Sequence, residues 1–438
     1  MTTSHTPPDP GAAAQAAASA PADRDHPLNR VPHHARKGVA SLAVVIAGFG
    51  FFTPTMATGG RVAGAFPFPT FLVLALVSAL VLAGYIATLG IAAARTGLTT
   101  VLLARLAMGK AGGKWASLLL GGTQIGWYGI TVGVLATLLG GAFGLSVTWP
   151  LVLVGGIAMA VTAYTGFHGI ELLSWISVPL MTALCLWIAV SAVDEAGGWD
   201  AVTAYEGTGA MSAGTALTMM IGTFVSGGSQ IGNWTRFAPG SGLAFVMTAG
   251  TMLLVQFGLL AFGGLGAIGY GEPDFANVLL GLGSTGLAVL LIVTNLWTTN
   301  DNTAYAFGVA GAELFGKPDK RPFIVGGVAI GIGMALTGIA EAITSFLTLL
   351  GVFVPPLGGV LIGTFLFTWR RRDPGTEVGE AALVVWPGLL AYLGGTAAAL
   401  VGSLLDVGIP AVQGIAVALV LVAAFTAVRG DRPGARAG

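Results

Sequence analysis

Residues 48–55 read Gly-Phe-Gly-Phe-Phe-Thr-Pro-Thr, and residues 223–229 read Thr-Phe-Val-Ser-Gly-Gly-Ser. Each interrupts a long apolar block near its middle. Glycine, proline and small hydroxyl residues let a chain leave the helix and so free backbone N–H and C=O groups. Inside a bilayer such groups are tolerated only where protein buries them or a ligand meets them. Interruptions at matching places in two halves of a chain point to a transporter with its binding site near the membrane midplane. The other reading of these glycines is close helix packing through small residues.

The composition sets both stretches in a membrane. Of 438 residues, 55% are hydrophobic and 9% charged, with mean hydropathy +0.84. Soluble domains run to about 45–50% apolar and about 25% charged. Glycine fills 69 positions without a period of three. A soluble enzyme, a disordered chain, a coiled coil and collagen are excluded. Continuous apolar blocks also exclude the alternating strands of a membrane β-barrel. The expected class is an all-α polytopic membrane protein. Cys185 is the one cysteine, so neither an intrachain disulfide nor a cysteine metal cluster can form. No Ser/His/Asp constellation or phosphate loop stands out, so the chain does not read as an enzyme.

Twelve apolar blocks are long enough to span, at about 20 residues each. They centre near Ala47, Leu80, Trp127, Ala158, Leu184, Phe224, Leu254, Trp297, Gly331, Pro356, Tyr392 and Val417. With the N-terminus inside, 18 of the 19 basic residues fall on the cytoplasmic side, including Arg24, Arg371, Arg372, Arg432 and Arg436, and only Arg61 falls outside. The outer loops collect Asp194, Glu195, Asp200, Glu206, Glu272, Asp274, Glu341 and Asp406. The positive-inside rule therefore supports twelve helices with both termini cytoplasmic. Residues 1–37 read as a disordered cytoplasmic tail, 38–428 as the transporter domain and 429–438 as a second short tail. Within the domain, one repeat runs over about 38–193, a second over about 213–368, and two extra helices over about 381–428.

Two further blocks carry polar chemistry. The eighth holds Asn295-Leu-Trp-Thr-Thr-Asn-Asp-Asn302. Asn295, Thr298, Thr299 and Asn302 stand at i, i+3, i+4 and i+7, on one helical face. Such residues in a membrane helix face an interior site or act as interhelical glue. Asp301 flanks the stripe, as a coupling residue or as an anchor for Arg105 or another cation. In the third block Gln124 and Trp127 share a face. An indole beside a primary amide suits a flat heteroaromatic ligand, stacked on the ring and hydrogen-bonded at its edge. Phe224, at the break of the sixth block, can cover the other face.

These residues carry a resemblance. With Ala35-Arg-Lys-Gly38, Thr58-Gly-Gly60, Arg95-Thr-Gly-Leu-Thr-Thr100, Leu118-Leu-Leu-Gly-Gly-Thr-Gln124 and Pro355-Pro-Leu-Gly-Gly359, the chain resembles the nucleobase:cation symporter-1 family from about Val31 to Val428. Within that family it is most like the bacterial cytosine permeases. The resemblance implies a LeuT-type inverted five-plus-five helix repeat followed by two extra helices, in the bacterial cytoplasmic membrane. It implies import of cytosine by Na⁺ symport. The same machine for a purine, uracil or a hydantoin- or allantoin-like ring, driven by Na⁺ or H⁺, is the alternative. It further implies a base held between Trp127 and Phe224, with edge contacts from Gln124, Thr223 and Ser226. The family's Na⁺ site falls on the carbonyls of Gly48, Phe51 and Asn295 and the hydroxyls of Thr298 and Thr299. Hard oxygens of this kind suit Na⁺. No further cofactor, nucleic acid or obligate protein partner is expected beside the nucleobase, the coupling ion and the bilayer. Asn233 and Gly363 depart from the family pattern, each standing where relatives tend to have an acid, which puts inner-gate contacts in doubt. A passive channel would need neither the hydroxyl cluster nor the paired breaks.

Overall fold

The structure, a computed structural model, describes residues 25–339, 343–370, 374, 378–405 and 407–429. Arg24, Glu341, Arg371, Arg372, Asp406, Arg432 and Arg436, named above for their charge, lie outside the described residues. The chain is helical. In order come α1a (Val39–Gly50), α1b (Thr53–Ala63), α2 (Phe68–Thr96), α3 (Thr100–Phe143), α4 (Trp149–Tyr164), α5 (Phe167–Glu195) and α6a (Ala213–Gly222). The short α6b follows in two turns, Val225–Ser229 and Gly232–Thr235. Then come α7 (Ser241–Tyr270), α8 (Thr285–Phe315), α9 (Arg321–Leu336), α10 (Ile343–Thr364), α11 (Trp386–Leu405) and α12 (Pro410–Arg429).

All twelve apolar blocks fall in these elements. Among the described residues, seven helices alone are long and apolar enough to cross a bilayer, and the bent pair α1a/α1b makes eight. The remainder fall short for visible reasons. α4 and α9 have only 16 residues each. α6 is interrupted, and the Asn/Thr/Asp stripe lowers the apolarity of α8. The outward faces are apolar: Val154, Val190 and Leu254 are 68%, 63% and 74% exposed. The polar stripe points inward instead, with Asn295, Thr298, Thr299 and Asn302 all buried.

Small residues set the closest helix approaches. A Cβ on Gly59 would overlap the Leu260 carbonyl of α7, and one on Gly263 would overlap the Met56 carbonyl of α1b. In the 355–359 motif, a Cβ on Gly358 would overlap the Tyr85 hydroxyl, which shares a 2.6 Å hydrogen bond with Ser229 of α6b. Close packing and helix breaking therefore both occur, in different glycines. Gly109 is a further break: its φ of +88° kinks α3 near its start. There Lys110 N and Ala111 N donate to the carbonyls of Ala382 and Leu383, at 2.9 Å each.

Residues 25–37 correct part of the expected tail. They strap across one end of the bundle instead of hanging free. Lys320 meets Asp25 at 2.7 Å, Arg236 Nη1 donates to His26 O at 2.7 Å, and Val31 N donates to Gly97 O at 2.9 Å. The cause is carbonyl supply. Arg36 Nη1 donates to Ala94 O near the end of α2 and to Ala238 O just after α6b, at 2.9 and 2.5 Å. Val31, within the strap, is itself buried against the bundle. The basic segments before α1, after α2, after α6 and before α9 thus meet at one end. At the opposite end Phe68 N donates to Tyr205 O and Thr208 N to Gly64 O, each at 3.0 Å. Residues 1–24 and 430–438, the rest of the expected tails, lie outside the described residues.

Candidate substrate and cation site

The first break lies at Phe51 and Phe52. Phe52 is extended, with φ −133° and ψ 114°, and α1b restarts at Thr53 with Pro54 in its first turn. Proline has no N–H to continue the helix and its ring crowds the carbonyl four residues back. The axis bends by 59° here. The freed Phe51 carbonyl accepts from Thr299 Oγ1 of α8 at 3.1 Å. The same hydroxyl lies 3.1 Å from Asn295 O, and Thr298 Oγ1 lies 3.0 Å from that carbonyl. One hydroxyl proton on Thr299 cannot serve two carbonyls at once, so the cluster is short of donors and rich in oxygen. Thr53 Oγ1 adds a 2.9 Å bond to Asn295 Oδ1. Hydrogen bonds therefore join Phe51, Asn295, Thr298 and Thr299. Gly48 stands one turn earlier on α1a, buried, where a Cβ would lie 2.7 Å from Ser174 Oγ of α5.

The second break lies at Thr223 and Phe224, where φ −130° and ψ 0° at Phe224 end the helical run. Phe224 and Trp127 line one cavity, with Gln124, Thr223 and Thr299. The unfilled space is about 20 Å³, room for about one water. The two rings do not form an open slot. Phe52 and Phe346 meet the Trp127 ring edge-on, with centroids 5.1 and 5.3 Å away, and Phe49 meets Phe224 edge-on at 5.0 Å. A bound ring requires these edges to withdraw. Gln124 Nε2 is buried without a hydrogen-bond partner among the described residues. Ser226 Oγ is likewise buried and unpartnered, but Ser226 does not line the cavity. Thr223 Oγ1 donates to Met220 O at 2.8 Å and accepts from Gln256 of α7 at 3.1 Å.

Other expectations resolve differently. Asp301 is fully buried, and Arg105 pairs with Glu313 at 3.7 Å rather than with it. Asp301 Oδ1 accepts from Asn302 Nδ2 at 3.0 Å; Oδ2 has no partner in hydrogen-bond geometry among the described residues, and the Thr162 hydroxyl stands close to the carboxyl group. Asn233 sits at the strap end, its carbonyl accepting from Arg236 Nε at 3.1 Å. Gly363 packs on Val422 of α12, so a side chain there would enter the α10–α12 contact. The sequence reading missed Phe49, Phe52, Thr131, Thr303, Phe346 and Gln256. Thr131 is four residues beyond Trp127, and Thr303 four beyond Thr299, so extending the helical face would have found both. Gln256 is the one amide in the seventh block.

A family described as "permease for cytosine/purines, uracil, thiamine, allantoin" matches residues 30–425. The chain belongs to this nucleobase:cation symporter-1 family. The cytosine permease of Escherichia coli strain K12 is 35% identical over 376 residues, covering 86% of this chain and 89% of the relative. Among solved structures, the chain is similar to MHP1, a nucleobase-cation-symport-1 family transporter, closed with bromovinylhydantoin bound. That match has 18% identity and TM-score 0.78, covering 93% of this chain and 96% of the other. The inward-facing conformation of Mhp1 matches at 19% identity and TM-score 0.73, covering 94% and 95%. This permease is a multi-pass membrane transporter with the LeuT-type fold, and not an enzyme.

Proposed function

We propose that this permease imports cytosine by Na⁺ symport with alternating access. The observation that carries the reading is the double role of Thr299. Its side chain lines the cavity shared by Trp127, Phe224 and Gln124, and its hydroxyl bonds the Phe51 carbonyl of the broken first helix. A base in that cavity and a cation among the Phe51, Asn295, Thr298 and Thr299 oxygens would lean on one residue. Gly48 would complete the cation shell. Trp127 and Phe224 would stack on the two faces of the base once the phenylalanine edges withdraw. Gln124, Thr223 and Ser226 would read its edge. The amide of Gln124 supports this reading, because a buried donor without a partner costs about 1–3 kcal/mol that a ligand carbonyl would relieve.

We also propose that both termini are cytoplasmic, in a bacterial cytoplasmic membrane. The gathering of Arg30, Arg36, Arg236 and Lys320 at one end supports this under the positive-inside rule. A cysteine placed at Asp200 should be labelled from outside intact cells; protection there would reverse the orientation.

A second reading, an H⁺-coupled symporter for another ring, is favoured by Asp301. This acid is buried without an ion-pair partner among the described residues. One experiment separates the two. Purified protein is melted against cytosine, uracil, a purine and a hydantoin, each in Na⁺ and in choline. Cytosine should give the largest stabilisation, and only in Na⁺ at its full size. A larger shift with another ring, or none due to Na⁺, would move the assignment to the second reading.

A further inference from the structure

One face of α7 runs past both breaks. Val255 lies against the end of α1a, where a Cβ on Gly50 would sit 3.2 Å from its Cγ1. Two turns on, Leu260 and Gly263 meet the α1b backbone at Gly59 and Met56. Between these contacts stands Gln256, 1% exposed. Its Nε2 donates to Met220 O at 2.9 Å and to Thr223 Oγ1 at 3.1 Å, at the end of α6a. The amide orientation is fixed by chemistry: a carbonyl accepts only, so the NH₂ group must face Met220 O. The Thr223 proton is committed to the same carbonyl at 2.8 Å. The three groups form a closed set, and its only side chain from outside α6 is on α7.

Both breaks therefore hang on one helix, the first by packing and the second by this amide. We infer that Gln256 is a positioning residue that couples the two breaks, so that cation binding at the first alters base affinity at the second. The inference rests on the reading that these breaks hold a cation and a base. A base drawn against Phe224 and Thr223 moves the end of α6a. Gln256 carries that displacement into α7, and the Gly50, Gly59 and Met56 contacts carry it into α1. A ligand at one break then biases the arrangement that the other prefers, by an equal factor in each direction.

Gln256→Met removes both donors at nearly constant volume. The measurement is the Kd for cytosine in Na⁺ and in choline, and the quantity read is their ratio. In Gln256→Met the Na⁺ enhancement should fall about fivefold or more, the lower range of typical site-to-site coupling. Cytosine affinity in choline should stay within a few-fold of wild type, an outcome that general destabilisation would not give. Thr223→Val breaks the same bond from its other end and serves if the first variant does not fold. Its ratio should also fall, and the double variant should be no lower than either single one. Full enhancement in Gln256→Met, or in Thr223→Val should that variant carry the test, would overturn the inference, as would additive losses in the double variant. Absence of enhancement in the wild type would instead overturn the Na⁺ symport reading on which it stands.

Discussion

The two broken helices solve the same problem with opposite chemistry. In α1 the freed Phe51 carbonyl is met by a hydroxyl of α8, and the neighbouring Asn295 carbonyl shares the same scarce protons. In α6 the freed Met220 carbonyl is met twice, by the Thr223 hydroxyl and by the Gln256 amide. The first break is left with oxygen to spare, which a hard cation can use. The second has its Met220 carbonyl doubly met, and what lines the cavity there is the Phe224 ring and the partly occupied Thr223 hydroxyl. On the proposed reading, what the facing helix donates decides whether a break takes a cation or a ring.

Removing the proposed base-stacking ring should leave the proposed cation oxygens unaffected. Trp127→Ala should weaken cytosine binding by about 1–3 kcal/mol, the scale of base–aromatic stacking, or about 5- to 150-fold. The ratio of affinities in Na⁺ and choline should stay near that of wild type, because the oxygens of α1 and α8 are untouched. Isothermal titration in both salts measures the two together. Unchanged cytosine affinity would remove Trp127 from the site.

The reverse experiment strips the cation site. Thr299→Ala removes the hydroxyl that bridges Phe51 and Asn295, yet leaves Trp127, Phe224 and Gln124 in place. Na⁺ enhancement should be largely lost, while affinity in choline falls by no more than a few-fold, the loss of one hydroxyl from the cavity lining. Titration of cytosine in each salt against wild type is the check. Equal enhancement in the two proteins would turn attention to Asp301 and a proton.

The contrast between the breaks was half legible in the sequence. Glycine, proline and hydroxyl residues at 48–55 and 223–229 announce that helices end there, since those types act on their own backbone. The stripe at Asn295, Thr298, Thr299 and Asn302 was legible for the same reason: it is periodic within one helix. Phe52 and Phe346 on the Trp127 ring, and Gln256 on Met220 O, were not. Each depends on how separate helices come together, and a lone phenylalanine or amide in an apolar block carries no local mark of its neighbour. The strap failed for a related reason. Its polar, proline-bearing composition describes a free chain, but the carbonyls of Ala94 and Ala238 that bind Arg36 come from two distant helices.

Ser226 tests the edge contacts of the proposed base site. It is the second residue of α6b, two past Phe224, and its hydroxyl is buried without a partner among the described residues. A buried, unsatisfied hydroxyl lowers stability by about 1–3 kcal/mol relative to an apolar replacement of like shape. Ser226→Ala should therefore melt at the wild-type temperature or above it when no ligand is present. If the hydroxyl turns to the base once the phenylalanine edges withdraw, the same variant should bind cytosine more weakly by about 0.5–1.5 kcal/mol, the net value of one hydrogen bond. Stability and affinity then move in opposite directions, which neither a packing defect nor a neutral change produces. Melting and titration on one preparation measure both. Wild-type affinity in a protein at least as stable would confine base recognition to Trp127, Phe224, Gln124 and Thr223, the residues that line the cavity already.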